Sequence, residues 1–180
     1  MRSRTSLHTD DRACCPFEEG EFKLRPLVSV RDREVFVVQS LAGTPDVPVA
    51  QRFIRLLFLL FGLRDAGARR ITAVVPYLAY ARKDRRTQPR DPVTTRYVAQ
   101  LFEAATLDRL VCLDVHNPAA LDNAFRVQVD HLSATTLLVE HFSKRFANED
   151  LAIASPDVGG IKRAPLFREL LQAELQRVVP

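Results

Sequence analysis

Residues 71–105 read ITAVVPYLAYARKDRRTQPRDPVTTRYVAQLFEAA, and the succession of textures in this stretch decides the fold. Ile71–Pro76 is a short β-branched apolar run without polar alternation, the pattern of a strand in a parallel sheet covered by helices. Tyr77–Arg90 is polar and basic. Asp91-Pro92 then opens a helix to about Ala105, with Asp as N-cap and Pro at the first helical position. Strand, polar loop and helix in that order make half of a βαβ unit.

The alternation continues on both sides. Glu34–Ser40, Leu110–Val115 and Leu151–Ser155 are further strand candidates. Helices are expected over Pro48–Ala66, after Asn117-Pro118, from a cap at Ser133 to about Phe146, and over Arg163–Arg177. The expected architecture is α/β, a mostly parallel sheet with helices on both faces, in one domain over residues 17–180. Residues 1–16, MRSRTSLHTDDRACCP, mix charges without a central apolar stretch. They are expected to be an irregular amino-terminal segment and do not read as a secretory signal. The longest apolar run, Phe53–Leu63, is interrupted by Arg55 and falls short of the roughly 18–20 residues of a membrane span; it reads as a buried helix.

A hydrophobic content of 47% and a charged content of 27% are globular values that exclude a disordered or fibrous chain. The 3 cysteines, two of them adjacent, form no disulfide framework, and no C-x-x-C or histidine spacing suggests zinc. Cys112 lies in an apolar strand and reads as packing, which points to a reducing, cytoplasmic setting. The formal net charge is +4. Arg82–Arg90 alone, with five cations and one Asp, carries that whole excess.

Gln39-Ser40, Tyr77–Arg90, Asp114 with His116, and Asp157-Val158-Gly159-Gly160 each follow a predicted strand. Ligands of open parallel sheets bind outside the carboxyl ends of the strands, so these segments are expected to gather at one edge. Arg82 suits a phosphate held in bidentate fashion, whereas Lys83 acts as a point charge. Asp114 and His116 can point the same way and hold a divalent cation or a phosphate, or the histidine can be plain surface. In Ser155–Gly160 the glycines either let backbone N–H groups approach an anion or serve a tight turn capped by Asp157. Nucleic acid is the rival ligand of the basic run, but no strand-borne aromatic pair or recognition helix accompanies it. Phe17-Glu18-Glu19-Gly20-Glu21 is an acidic turn that by itself reads as surface.

Taken together, FEEGEFKLRP (17–26), VFVVQS (35–40), ITAVVPYLAYARKDRR (71–86), PVTTRYVAQLFEAA (92–105), LDVHNPAALDNAF (113–125), VDHL (129–132) and SPDVGGIKRA (155–164) resemble the ribose-phosphate diphosphokinase (phosphoribosyl pyrophosphate synthetase) family, in order and spacing. The resemblance implies a phosphoribosyltransferase-like α/β domain, and an enzyme for nucleotide biosynthesis. Such an enzyme transfers the β,γ-diphosphoryl group of ATP to ribose 5-phosphate, giving phosphoribosyl pyrophosphate and AMP. It implies that Phe17, Glu19 and Glu21 contact adenine in a site completed by a neighbouring subunit, and that Arg82, Lys83 and Asp84 meet the nucleotide. His116 and Asp157 would bind Mg²⁺, with His116 also at the phosphates.

Several positions depart from the family pattern. Glu19 stands where a shorter acid is common. Lys83 replaces a usual Gln, favouring phosphate over adenine, and Asn117-Pro118-Ala119 replaces a small residue followed by Gln. The family's flexible catalytic Lys/Arg loop and its acidic ribose-phosphate loop occur nowhere in these 180 residues. The expectation is therefore an amino-terminal, ATP-side domain without an acceptor site. Its catalytic residues are unassigned, and it is inactive alone until a second domain supplies the place for ribose 5-phosphate. Such a chain is expected to form homo-oligomers or to join a full-length synthetase, with no nucleic acid or membrane partner. The alternative is a non-catalytic regulatory subunit of such a synthetase.

Overall fold

A computed structural model of the protein describes residues 5–7, 14–18, 21–160 and 163–179. The chain divides into two units, Met1–Leu132 and Ser133–Pro180.

The first unit is built on a parallel sheet of five strands: β1 (Thr5–Leu7), β4 (Glu34–Val38), β5 (Arg70–Val75), β6 (Arg109–Leu113) and β7 (Gln128–Leu132), adjacent in that order. β2 (Cys14–Pro16) and β3 (Phe22–Leu24) form a separate antiparallel pair. Two strands thus fall within residues 1–16, where the sequence reading expects an irregular segment. Thr5–Leu7 pairs with Val35–Val37, satisfying backbone groups that a bare β4 edge would leave open.

Helices α1 (Val49–Asp65), α2 (Thr94–Ala104) and α3 (Pro118–Ala124) connect the strands. Val35, Val37, Ile71, Ala73, Val75, Leu110 and Cys112 lie on one face of the sheet, as register and strand alternation require. They share a single buried cluster with Leu60, Phe102 and Leu121 from the three helices. Within it Phe102 meets Phe53 edge-on at 5.4 Å, an arrangement aromatic quadrupoles favour. On α1, Phe53, Leu56, Leu57, Leu60 and Leu63 are buried at helical spacing, whereas Ile54, Phe58 and Phe61 remain exposed. This helix is therefore amphipathic in place, not buried all round. It ends where Gly67 takes φ +83, a left-handed turn that lets the Gly67 and Ala68 amides bond Arg64 and Leu63 carbonyls.

The expected cap of α2 needs correction. Asp91 does not cap α2; the helix begins at Thr94 after Val93, without a side-chain cap, because the Asp91 carboxylate is taken up by the preceding loop. The region Gln128–Leu132, half polar in sequence, forms the edge strand β7.

The second unit pairs α4 (Thr135–Arg145) with α5 (Arg163–Leu175). Val139, Leu171 and Val179 form its core, joined by Phe142, Leu151, Ile153 and Phe167. Leu151–Ser155 is not the expected strand. Leu151 and Ile153 pack into this small helical core, and among the described residues the unit offers no strand to pair with. Among the described residues, no helix is long and apolar enough to cross a membrane.

Candidate functional site

The carboxyl ends of β4, β5 and β6 lead into Gln39-Ser40, the 77–91 loop and the 114–117 turn. Sheet register brings these segments to one edge of the first unit, as in ligand-binding parallel sheets.

The 77–91 loop is ordered by its surroundings. Its Tyr80 ring lies 6.2 Å from Phe53 in the core. At the start of α2, Thr94 Oγ1 donates to the Tyr80 carbonyl at 2.9 Å and the buried Thr95 hydroxyl to that of Lys83 at 3.2 Å. The loop closes on Asp91. One oxygen of that carboxylate accepts from Lys83 Nζ and the Thr87 hydroxyl, each at 2.7 Å, and from the Thr87 and Gln88 amides, each at 3.0 Å. These donors, Lys83 foremost, hold Asp91 well below the usual carboxylate range. The ammonium of Lys83 is thus engaged within the loop, while Arg82, Arg85, Arg86 and Arg90 are exposed.

The 114–117 turn departs from β6 through Asp114, whose φ is 44. The Asp114 amide still reaches the β7 ladder at Leu132. The next amide leaves the ladder, and Val115 N–H donates to His131 Nε2 at 3.1 Å. His116 is exposed. Asn117 then caps α3 by accepting from Ala120 N–H at 3.3 Å, ahead of Pro118. Its amide Nδ2 donates to Asp84 at 2.6 Å. That bond is the main cause of a lowered Asp84 pKa; partial burial opposes it, and His116 and Arg85 assist. Asp84 and Asn117 line a cavity of about 280 Å³ together with Thr95, Arg96 and Asn123.

Phe17 and Glu21 are exposed and close a turn on themselves, with Phe17 N–H bonded to the Glu21 carbonyl at 2.8 Å. Their hairpin is held on α1, where Phe22 packs 5.6 Å from Phe58 beneath the Arg55 guanidinium. Glu19 lies outside the described residues. In the second unit Asp157 is exposed, and its Oδ1 accepts from Gly160 N–H at 2.9 Å. A Cβ at Gly160 would displace the Ser155 hydroxyl from its hydrogen bond to the Asp157 carbonyl. Sequence reasoning thus placed Arg82, Lys83, Asp84 and His116 at one sheet edge. It missed Asn117, Asp91, Thr95 and His131 as the groups that hold them. Of these, Asn117-Pro118 carried a capping signal that holds, and Asp91-Pro92 carried one that misleads.

Residues 2–106 match the profile described as the N-terminal domain of ribose phosphate pyrophosphokinase. The chain belongs to the ribose-phosphate pyrophosphokinase family. It is 38% identical over 159 residues to ribose-phosphate pyrophosphokinase 1 of Listeria monocytogenes, a match covering 88% of this chain and 48% of that protein. It is 36% identical over 160 residues to the Fusobacterium nucleatum ribose-phosphate pyrophosphokinase, across 88% of this chain and 49% of that one. The crystal structure of phosphoribosylpyrophosphate synthetase from Mycobacterium smegmatis superposes with a TM-score of 0.78 at 33% identity, covering 92% of this chain and 53% of that one. The chain spans about half the length of the relatives it matches. The expected α/β class and family resemblance hold.

Proposed function

We propose that these residues form the ATP side of a ribose-phosphate diphosphokinase. The reaction is transfer of the β,γ-diphosphoryl group of ATP to the anomeric hydroxyl of ribose 5-phosphate. The observation that carries this reading is the juxtaposition of the ordered arginine loop with the His116 turn, joined by Asp84 and Asn117, in a chain of this family.

Arg82 and its neighbouring guanidiniums meet the polyphosphate, where planar bidentate donors hold migrating charge better than a point charge does. Phe17 and Glu21, with Glu19, stack against and hydrogen-bond the adenine. Asp84 fixes the loop geometry next to the nucleotide. Lys83 contributes by closing the loop on Asp91.

Mg²⁺ keeps much of its water shell and draws ligands from substrate phosphates, so few protein donors are needed. Among the described residues no three His, Cys, Asp or Glu side chains cluster as a ready-made metal cage. An ion entering with ATP needs few protein donors: in the first unit His116 would hold it, and in the second unit Asp157 is the group that the family resemblance assigns to Mg²⁺. When bound, it neutralises charge on the polyphosphate. The Asp157 carboxylate has one oxygen on Gly160, which leaves the other for that role. Reactant positioning supplies much of a bimolecular rate, and these 180 residues hold no acceptor loop. They bind ATP and turn over little or nothing until a ribose-phosphate site is brought beside the nucleotide.

The test is incubation of the purified chain with Mg²⁺, ATP and ribose 5-phosphate, following AMP by chromatography. Magnesium-dependent ATP binding without AMP release supports the reading. AMP formed only in the presence of the sugar shows an acceptor site within these residues and overturns the half-site assignment.

A further inference from the structure

Asn117 uses both ends of its side-chain amide. The carbonyl oxygen must face Ala120 N–H, which needs an acceptor, and the nitrogen must face the Asp84 carboxylate, which needs a donor. The surroundings therefore fix the amide orientation. The two partners belong to different elements: Ala120 to the first turn of α3, Asp84 to the arginine loop 33 residues earlier in the chain. Serine at this position would cap α3 without reaching the loop. Aspartate would cap α3 and set two carboxylates against each other.

We infer that Asn117 is a positioning residue that ties the arginine-bearing loop to the turn carrying His116. The turn is held on its other side by β7, through the Leu132 carbonyl and His131 Nε2. The loop is held at its far end by Asp91. Between these anchors, Asn117–Asp84 is the side-chain hydrogen bond that crosses from loop to turn among the described residues. Phosphate contacts from Arg82 and His116 depend on their separation, and this bond sets it. The inference rests on the nucleotide reading above for its consequence in binding, but not for the geometry.

Four variants test it: Asn117→Ser and Asn117→Asp, which keep the cap, Asp84→Asn, and the exchange Asp84→Asn/Asn117→Asp, which reverses donor and acceptor. ATP titrations in Mg²⁺ and the His116 ring resonances by NMR are read on each. The expected result is about tenfold weaker ATP binding in Asn117→Asp, the scale of a lost charge-assisted hydrogen bond. Binding is partly restored in the exchange variant, giving a non-additive cycle, and melting is little changed because the cap survives. Wild-type affinity in Asn117→Ser and Asn117→Asp, or strictly additive losses in the exchange variant, would overturn the inference. If the wild type binds no ATP, the nucleotide reading falls. The His116 resonances then decide the positioning role by themselves: displaced signals in Asn117→Asp that return in the exchange variant sustain it, and unmoved signals overturn it.

Discussion

Lys83 and Asp91, 8 residues apart, meet at 2.7 Å and close the basic loop on itself. The pair changes how this loop presents charge. A cation that sequence alone assigns to phosphate is spent internally, and the exposed arginines around it remain for a ligand. Because the same carboxylate oxygen also accepts from the Thr87 and Gln88 amides, the pair organises backbone as well as charge.

Acidification should release this loop. The Asp91 carboxyl is held below its ordinary value by Lys83 and the loop donors, so its contribution is complete above the unfolded value of about 3.9. It is lost as pH falls through the depressed folded value. The Thr87 and Gln88 amide resonances should hold steady from neutral pH to about pH 4 and move together below it. Asp91→Asn should reproduce the acid positions at pH 7. Amides that ignore both changes would show that Asp91 does not hold them.

Gly67→Ala should destabilise the fold by about 1–2 kcal/mol, the cost of a left-handed L-residue, since Gly67 sits at φ +83. Its Cβ would approach Arg31 at no less than 3.5 Å, so the cost is conformational and not steric. Urea unfolding of the two proteins measures it directly, and an unchanged midpoint would refute the turn's role.

Phe102→Ala should cost about 3–5 kcal/mol. Its ring is fully buried and touches Phe53 and Phe125. Through Phe53 the core continues to Tyr80 in the basic loop, so the same variant should also raise hydrogen exchange in residues 77–91. A loss of stability without that local change would separate the loop from the core.

Cys112 should resist alkylation in the native protein. Burial, with Asp122 and Asp130 nearby, pushes its thiol up to about 11, leaving little reactive thiolate at neutral pH. Peptide mapping after iodoacetamide treatment should find Cys112 unmodified until denaturant is added; rapid native labelling would contradict its packing.

Local rules carried much of this structure and failed in identifiable places. The apolar run Ile71–Val75 and the apolar periodicity of α1 were legible because burial pattern and element type agree there. Asn117-Pro118 was legible because capping chemistry is confined to four residues. Asp91-Pro92 imitates the same signal, but the nearby loop amides and Lys83 compete for the carboxylate and win. LAIAS (151–155) alternates like a strand, yet its apolar side chains pack among helices. QVDHL (128–132) drew no strand assignment; as the edge of the sheet it tolerates Asp130, which pairs with Arg109 on the neighbouring strand. The Asp84–Asn117 bond joins residues 33 positions apart, and nothing in one sequence reveals such a partner.

The central claim is that these residues bind ATP through the arginine loop and the His116 turn. Calorimetric titration of ATP into the chain, with Mg²⁺ and again with EDTA, tests it most directly, repeated on Arg82→Ala. The account predicts saturable binding in Mg²⁺ that EDTA abolishes and that Arg82→Ala weakens about tenfold or more. Binding indifferent to both magnesium and Arg82, or no binding at all, would contradict it.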